Sequence, residues 1–174
     1  DKVWIMVKSY KNFINKFDQK NFGEIKPKIL KINEKKKMYF NNYKYQGFGW
    51  SHNFNKEGIW SEGERSTILF SLEPNSFDKI LEISYSPYIT EKNKNLDVDI
   101  YVNEKFNQNL KLDLIKNYND RIVKIVLHNE LIKVNNEIKI DFIIKNPTSP
   151  LEILKSPDSR KLGLLLKSIE LKHI

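Results

Sequence analysis

Hydrophobic positions change period near residue 25. Over 1–20, Trp4, Val7, Tyr10, Ile14 and Phe17 recur at three- and four-residue steps, with Lys8, Lys11, Asn12, Asn15 and Lys16 between them. That spacing predicts an amphipathic helix, and Asn21-Phe22-Gly23 supplies its stop. From Ile25 the pattern becomes one of alternation. Residues 25–31 read as a weak, edge-like strand because Pro27 interrupts it. Residues 33–37 (Asn-Glu-Lys-Lys-Lys) read as a solvated turn, and 38–45 as a strand. Further strands are predicted at 66–72, 79–86, 96–102, 106–114, 121–127, 137–144 and 162–171. The cleanest alternation is Leu96, Val98, Ile100, Val102 against Asp97, Asp99, Tyr101, and with the turn at 103–105 it predicts a hairpin. Residues 129–134 suit one helical turn, and 146–159, with three prolines, a long loop.

Eight or nine short strands with polar turns, and no strand–helix–strand rhythm, predict an all-β antiparallel sandwich of jelly-roll type. The expected organisation is a helix or connector over 1–24 and a β-sandwich domain over 25–174. The chain starts at Asp1, which reads as a processed or trimmed chain or a piece of something longer. The N-terminal helix then reads as a docking connector.

The chain is organised around 47–63, Gly-Phe-Gly-Trp-Ser-His-Asn-Phe-Asn-Lys-Glu-Gly-Ile-Trp-Ser-Glu-Gly. This stretch holds four of the six glycines and two of the three tryptophans. Clustered glycine marks sharply bent backbone, and tryptophan brings a flat apolar face with one N–H donor. The combination suits a ligand edge and equally a corner that plugs the end of a sandwich core. A sugar-binding edge needs an aromatic plane plus polar side chains around it. Trp50 and Trp60 would stack, and His52, Glu62, Asp158 and Arg160 would orient hydroxyls. Tyr43 and Tyr45 add aromatic surface. Asp158 and Arg160, just before the last strand, suit a loop-pinning pair as well as a ligand contact.

Composition narrows the function classes. Hydrophobic content of 40% fits a globular chain. Cysteine is absent, so disulfides and thiolate metal sites are excluded. His52, His128 and His173 lack metal-ligand spacing, and Asp97 with Asp99 reads as a solvated face. No metal or cofactor is expected. No apolar run is long enough to span a membrane. Net charge is +8, but only Arg65, Arg121 and Arg160 among 30 basic side chains are arginine. Base and phosphate readers favour arginine forks and scattered lysine reads as a solvated face, so nucleic acid is not the expected partner, and charge alone gives no more support to an anionic polysaccharide or membrane surface. There is no Gly-x-Ser-x-Gly elbow. Glu57, Glu62, Glu64 and Asp158 show no spacing that asks for a carboxylate pair.

Gly-Trp-Ser, then Gly-Ile-Trp-Ser-Glu-Gly, then Ser-Pro and Asp-Ser-Arg-Lys-Leu-Gly before the last strand resembles a β-sandwich module of bacterial surface-polysaccharide enzymes. That module is appended to glycosyltransferases and phosphoglycerol-transferase-like proteins, and the likeness covers 45–174. It implies a carbohydrate-binding-like jelly roll, a setting in capsule or lipopolysaccharide assembly and a linked catalytic domain. The family often has Pro-Glu after Gly-Trp-Ser-x, where this chain has Asn53-Phe54-Asn55. The expected function is a non-catalytic accessory domain that binds or positions glycan, with no catalytic residue of its own. The alternatives are a structural docking or oligomerisation module of a larger transferase and an enzyme acting on a sugar. A cytoplasmic or membrane-peripheral location is expected, with the periplasm and cell surface also compatible.

Overall fold

The computed structural model describes residues 27–38, 45–51, 56–74, 78–114, 121–132 and 136–174. The expected helix over 1–20, the boundary at 24/25, Tyr43 and His52 lie outside them. Nine strands are described: β1 (Lys35–Lys37), β2 (Ile59–Glu62), β3 (Arg65–Ser71), β4 (Lys79–Pro87), β5 (Asn95–Val102), β6 (Lys105–Asp113), β7 (Arg121–Leu127), β8 (Glu137–Ile144) and β9 (Leu162–His173). A short helix, α1 (Pro150–Leu154), lies between β8 and β9.

The strands form two antiparallel sheets. β9 is the spine of one: β4 and then β7 lie on one side, and β2 and β1 share the other. The second sheet runs β3-β8-β5-β6. From β2 onward each strand crosses to the other sheet except at the β5–β6 hairpin, so that 2-9-4-7 faces 3-8-5-6, which is jelly-roll connectivity. Alternation decides what lies between the sheets. Leu81, Ile83 and Tyr85 of β4, Leu96, Val98, Ile100 and Val102 of β5, and Ile138, Ile140, Phe142 and Ile144 of β8 fill the core. Asn103 and Glu104, with φ of 47° and 73°, close the β5–β6 hairpin in the left-handed conformation that such two-residue turns demand.

Three expectations at the sheet edge are corrected. Residues 25–31 do not form a strand in their described part: Ile29 and Ile32 make only isolated parallel bridges to Ser71 and Leu171. Ile29 is exposed there, and the neighbouring Leu30 is the buried residue. The lysine run at 35–37, expected as a turn, is strand β1 paired to β9; charged side chains suit an edge because they discourage further strand addition. The loop expected over 146–159 contains α1. Its capping box joins Ser149 and Glu152, Pro150 takes the first helical turn and Lys155, at φ 55°, ends it.

Candidate functional site

The glycine-rich stretch separates its two tryptophans. Trp50 is only 6% exposed. Its ring meets the Phe142 ring edge-on at 6.2 Å, and its indole N–H donates to the Thr67 carbonyl at 2.7 Å. The stacking role expected of Trp50 is therefore corrected: it is a core plug, with its face covered and its donor used. Trp60 turns the other way. Its neighbours Ile59 and Ser61 face inward, Ile59 at 2% and Ser61 at 0% exposure, so alternation sends Trp60 to the outer face of the β9 sheet. There it is half-buried, with the Tyr88 ring edge-on at 5.6 Å.

The 156–160 loop meets this edge. Arg160 Nε donates to Asp158 Oδ1 at 2.9 Å, Nη2 pairs with Asp158 Oδ2, and the backbone N–H of Arg160 donates to Oδ1 at 3.1 Å. Arg160 Nη1 donates to Ser51 Oγ, and the Ser51 N–H donates to the Trp60 carbonyl at 2.8 Å. Glu62 is exposed, and its charge adds to the stabilisation of the guanidinium by Asp158. The hydrogen bonds from Arg160 hold the Asp158 carboxyl below its usual range. Burial, and secondarily the charge of Asp158, pushes the Tyr88 hydroxyl up. That hydroxyl is enclosed and has no hydrogen-bond partner among the described residues.

Of the six expected site residues, Trp60, Glu62, Asp158 and Arg160 thus converge on one end of the sandwich. Trp50 underlies them in the core, and His52 lies outside the described residues. Tyr88 belongs to the cluster and the sequence reading missed it; its only signal was an aromatic just past a strand that ends in proline. The Asp158–Arg160 pair also pins its loop to the glycine-rich stretch. The two side chains are 26% and 21% exposed, so Arg160→Ala is expected to cost about 2 kcal/mol, below the 3–5 of a fully buried pair. In a chain of this size that is a fall of about 4–8 °C in Tm. Thermal unfolding measures it, and an unchanged midpoint would contradict the pinning role.

A second polar network, also missed, lies on the outer face of the four-stranded sheet. Asp141, 2% exposed, accepts from Thr67 Oγ1 at 2.6 Å and from Arg65 Nε at 3.2 Å, with Lys139 Nζ at 3.4 Å. Burial pushes the Asp141 carboxyl up, but Arg65, Thr67 and Lys139 outweigh it and the net shift is downward. The Arg65 guanidinium lies 5.2 Å from the centre of the Phe48 ring. The available signal was the one acid in an otherwise apolar run, 140–144. On the same face Asn109 Nδ2 donates to Asp97 at 2.6 Å and Asp99 at 2.7 Å. Lys145 pairs with both carboxylates, at 3.2 and 3.0 Å, so a lysine occupies the place a cation would take. Among the described residues no three His, Cys, Asp or Glu side chains gather to hold a metal.

No family model matches the chain, and no curated protein matches it in sequence. Among solved structures it is similar to the CBM36-1 domain of a multidomain xylanase from the hindgut metagenome of Trinervitermes trinervoides. The TM-score is 0.49 at 8% identity, over 81% of this chain and 98% of that one. It is similar to the xylan-binding module CBM15, with a TM-score of 0.49 at 10% identity over 81% and 97%. It is also similar to the carbohydrate-binding module CBM36 in complex with calcium and xylotriose, with a TM-score of 0.45 at 10% identity over 80% and 99%. At these identities no side chain of the site is carried across from them.

Proposed function

We propose that this chain is a non-catalytic glycan-binding module whose contact surface is the sandwich end around Trp60. The observation that carries the reading is the half-buried Trp60 on the outer face, with Tyr88 edge-on to it and the Asp158–Arg160 fork and exposed Glu62 beside it. The indole offers an apolar plane for the C–H face of a sugar ring. Around it, carboxylates accept hydroxyl hydrogens and the guanidinium N–H groups left after the Asp158 and Ser51 bonds donate. Asp158 suits orientation rather than acid catalysis: a general acid needs a raised pKa, and this carboxyl is held down by Arg160. The motif resemblance supports a setting in bacterial surface-polysaccharide assembly, with the module linked to a catalytic domain. Among the described residues no helix is long and apolar enough to cross a membrane.

The test is NMR titration with soluble oligosaccharides. Shifts are expected at Trp60, Tyr88 and Arg160, and Trp60→Ala should weaken binding at least about tenfold, the effect of losing an aromatic contact worth about 1.4 kcal/mol. Its unfolding midpoint should stay near that of the parent. Binding that persists unchanged in Trp60→Ala would refute the assignment. A second reading, a structural docking module, is favoured by the internal saturation of Asp158 by Arg160; it predicts no sugar response at millimolar concentration.

A further inference from the structure

The sheet face turned away from Trp60 carries an aromatic cleft of its own, and we propose that it is a second glycan contact, so that one module bridges two glycan chains. The inference rests on the glycan-binding reading and deepens it with a second site and a bridging role. The cleft encloses about 310 Å³, and Arg65, Tyr101, Glu104, Asp141 and Ile143 line it. It lies on the outer face of the β3-β8-β5-β6 sheet. Ile100 and Val102 are fully buried in the core, so alternation turns the half-buried Tyr101 outward. Trp60 stands on the outer face of the other sheet, and the core separates the two rings.

Two backbone irregularities bring phenylalanines to this face. Between Ile100 and Tyr101 the β5–β6 register shifts, so that Ile100 faces Gln108 but Tyr101 faces Phe106. Without that bulge Asn107 would stand opposite Tyr101. With it, the Phe106 ring meets the Tyr101 ring edge-on at 5.7 Å and stays 59% exposed. At the β3 edge, residues 48 and 50 would share one face of a regular strand. Gly49, at φ 79°, breaks that alternation. Trp50 enters the core, while Phe48 is left 47% exposed against the Arg65 guanidinium.

Between these aromatic groups the guanidinium is held in place. Arg65 Nε and Nη2 reach the two oxygens of Asp141 at 3.2 and 3.0 Å, a forked pairing that fixes the guanidinium plane. Burying that carboxylate is costly. Strand pairing does not require it, since β3 is laddered to β8 from Arg65 opposite Ile143 to Ser71 opposite Glu137. What the pair supplies is an aimed donor. The Nη1 end is not spent on Asp141, and the Arg65 side chain is 45% exposed. Neighbouring hydroxyls of a sugar ring accept from such an edge, while the C–H face of the ring lies on Tyr101 and Phe106. Asp141 offsets the charge of the guanidinium, so the cleft suits a neutral sugar better than a phosphate. The Trp60 and Tyr101 contacts face in opposite directions, so each takes its own chain.

The test uses the whole chain and hexasaccharides of glucose, xylose, mannose and galactose, titrated by NMR. With a hexasaccharide that binds, two separate sets of shifts are expected, one at Trp60 and Tyr88 and one at Arg65, Tyr101 and Phe106. Trp60→Ala should remove the first set only. Phe106→Ala should weaken binding at the second set about tenfold, the effect of losing one aromatic contact, and leave the first set unchanged. Phe106 is mostly exposed, so that variant keeps its core; Tyr101→Ala repeats the measurement from the cleft wall. Arg65→Lys, which keeps the charge and loses the fork, should also weaken the second set alone. Bridging is read by light scattering with the polysaccharide of the responding sugar: the parent chain should raise it, and Trp60→Ala and Phe106→Ala should not. Shifts confined to Trp60 and Tyr88 overturn the inference and leave the glycan reading standing. Shifts confined to the Tyr101 cleft overturn the Trp60 assignment and the bridging role. Two sets of shifts without a rise in scattering overturn the bridging role. No shift with any of these sugars overturns both readings.

Discussion

Alanine at position 49 is expected to cost about 4 kcal/mol or more, a large share of the roughly 5–15 kcal/mol that holds a domain together. Gly49 has φ +79°, and a Cβ there would sit 2.0 Å from the Arg65 carbonyl oxygen and 2.9 Å from both its carbonyl carbon and the Ser66 Cα. All three atoms are backbone of β3, which is laddered along its whole length to β8, so the obstacle cannot swing aside as a side chain can. The close approach is used. The Gly49 carbonyl accepts from Ser66 Oγ at 2.6 Å and from the Glu62 N–H at 2.8 Å. Flanking bonds from the Gly47 N–H to the Thr67 carbonyl and from the Thr67 N–H to the Phe48 carbonyl lay the segment along β3. Gly63 is the control. Its φ of +86° is equally left-handed, but a Cβ there meets nothing within 4 Å, so Gly63→Ala should cost only about 1–2 kcal/mol of backbone strain. Urea unfolding of the two variants measures both; a Gly49→Ala chain as stable as the Gly63→Ala chain would refute the account.

The second large effect separates the tryptophans. Trp50→Ala is expected to destabilise by about 3–5 kcal/mol, the usual range for emptying a large aromatic site in a core. The loss comes from packing against Phe142 and from the cavity left between the sheets. The hydrogen bond to Thr67 contributes less. The Thr67 carbonyl also accepts from the Gly47 N–H at 2.8 Å, so removing the indole does not orphan it. Trp60→Ala removes a ring from the outer face and leaves the core intact, so stability should fall little while sugar binding falls. Denaturation midpoints of the pair, measured beside a binding titration, should therefore move in opposite proportion. A Trp50→Ala variant with a near-parental midpoint would show that the ring is not a core plug.

These two tryptophans also mark the limit of the sequence. Ten residues apart in a glycine-bent stretch, they carry the same local signals, and the choice between core and surface is made by partners far along the chain. For Trp50 the partner is Phe142 in β8; for Trp60 it is the β9 pairing at Leu165 that turns the ring outward. The pairing of Arg160 with Ser51 across 109 residues is likewise invisible to spacing. Asp158 and Arg160 themselves were legible, because an acid two residues before an arginine is a local geometry that a loop can close by itself. Helix α1 was legible in principle through Ser149, Pro150 and Glu152, a local capping signal overshadowed by the prolines around it.

What the sequence determined by itself was periodic and local. The alternation of Leu96, Val98, Ile100 and Val102 fixes both a strand and its buried face, because a period of two leaves each side chain only two directions. Repeated eight or nine times with polar turns, it requires two sheets sharing one core. The tertiary structure decided what depends on register and neighbours. It made an edge strand of the lysines at 35–37 and lifted Lys167 out of the ladder by a bulge. A lysine reads as solvated wherever it occurs in a sequence. Only the pairing of strands distant along the chain sets which lysines end up side by side on one face of a sheet.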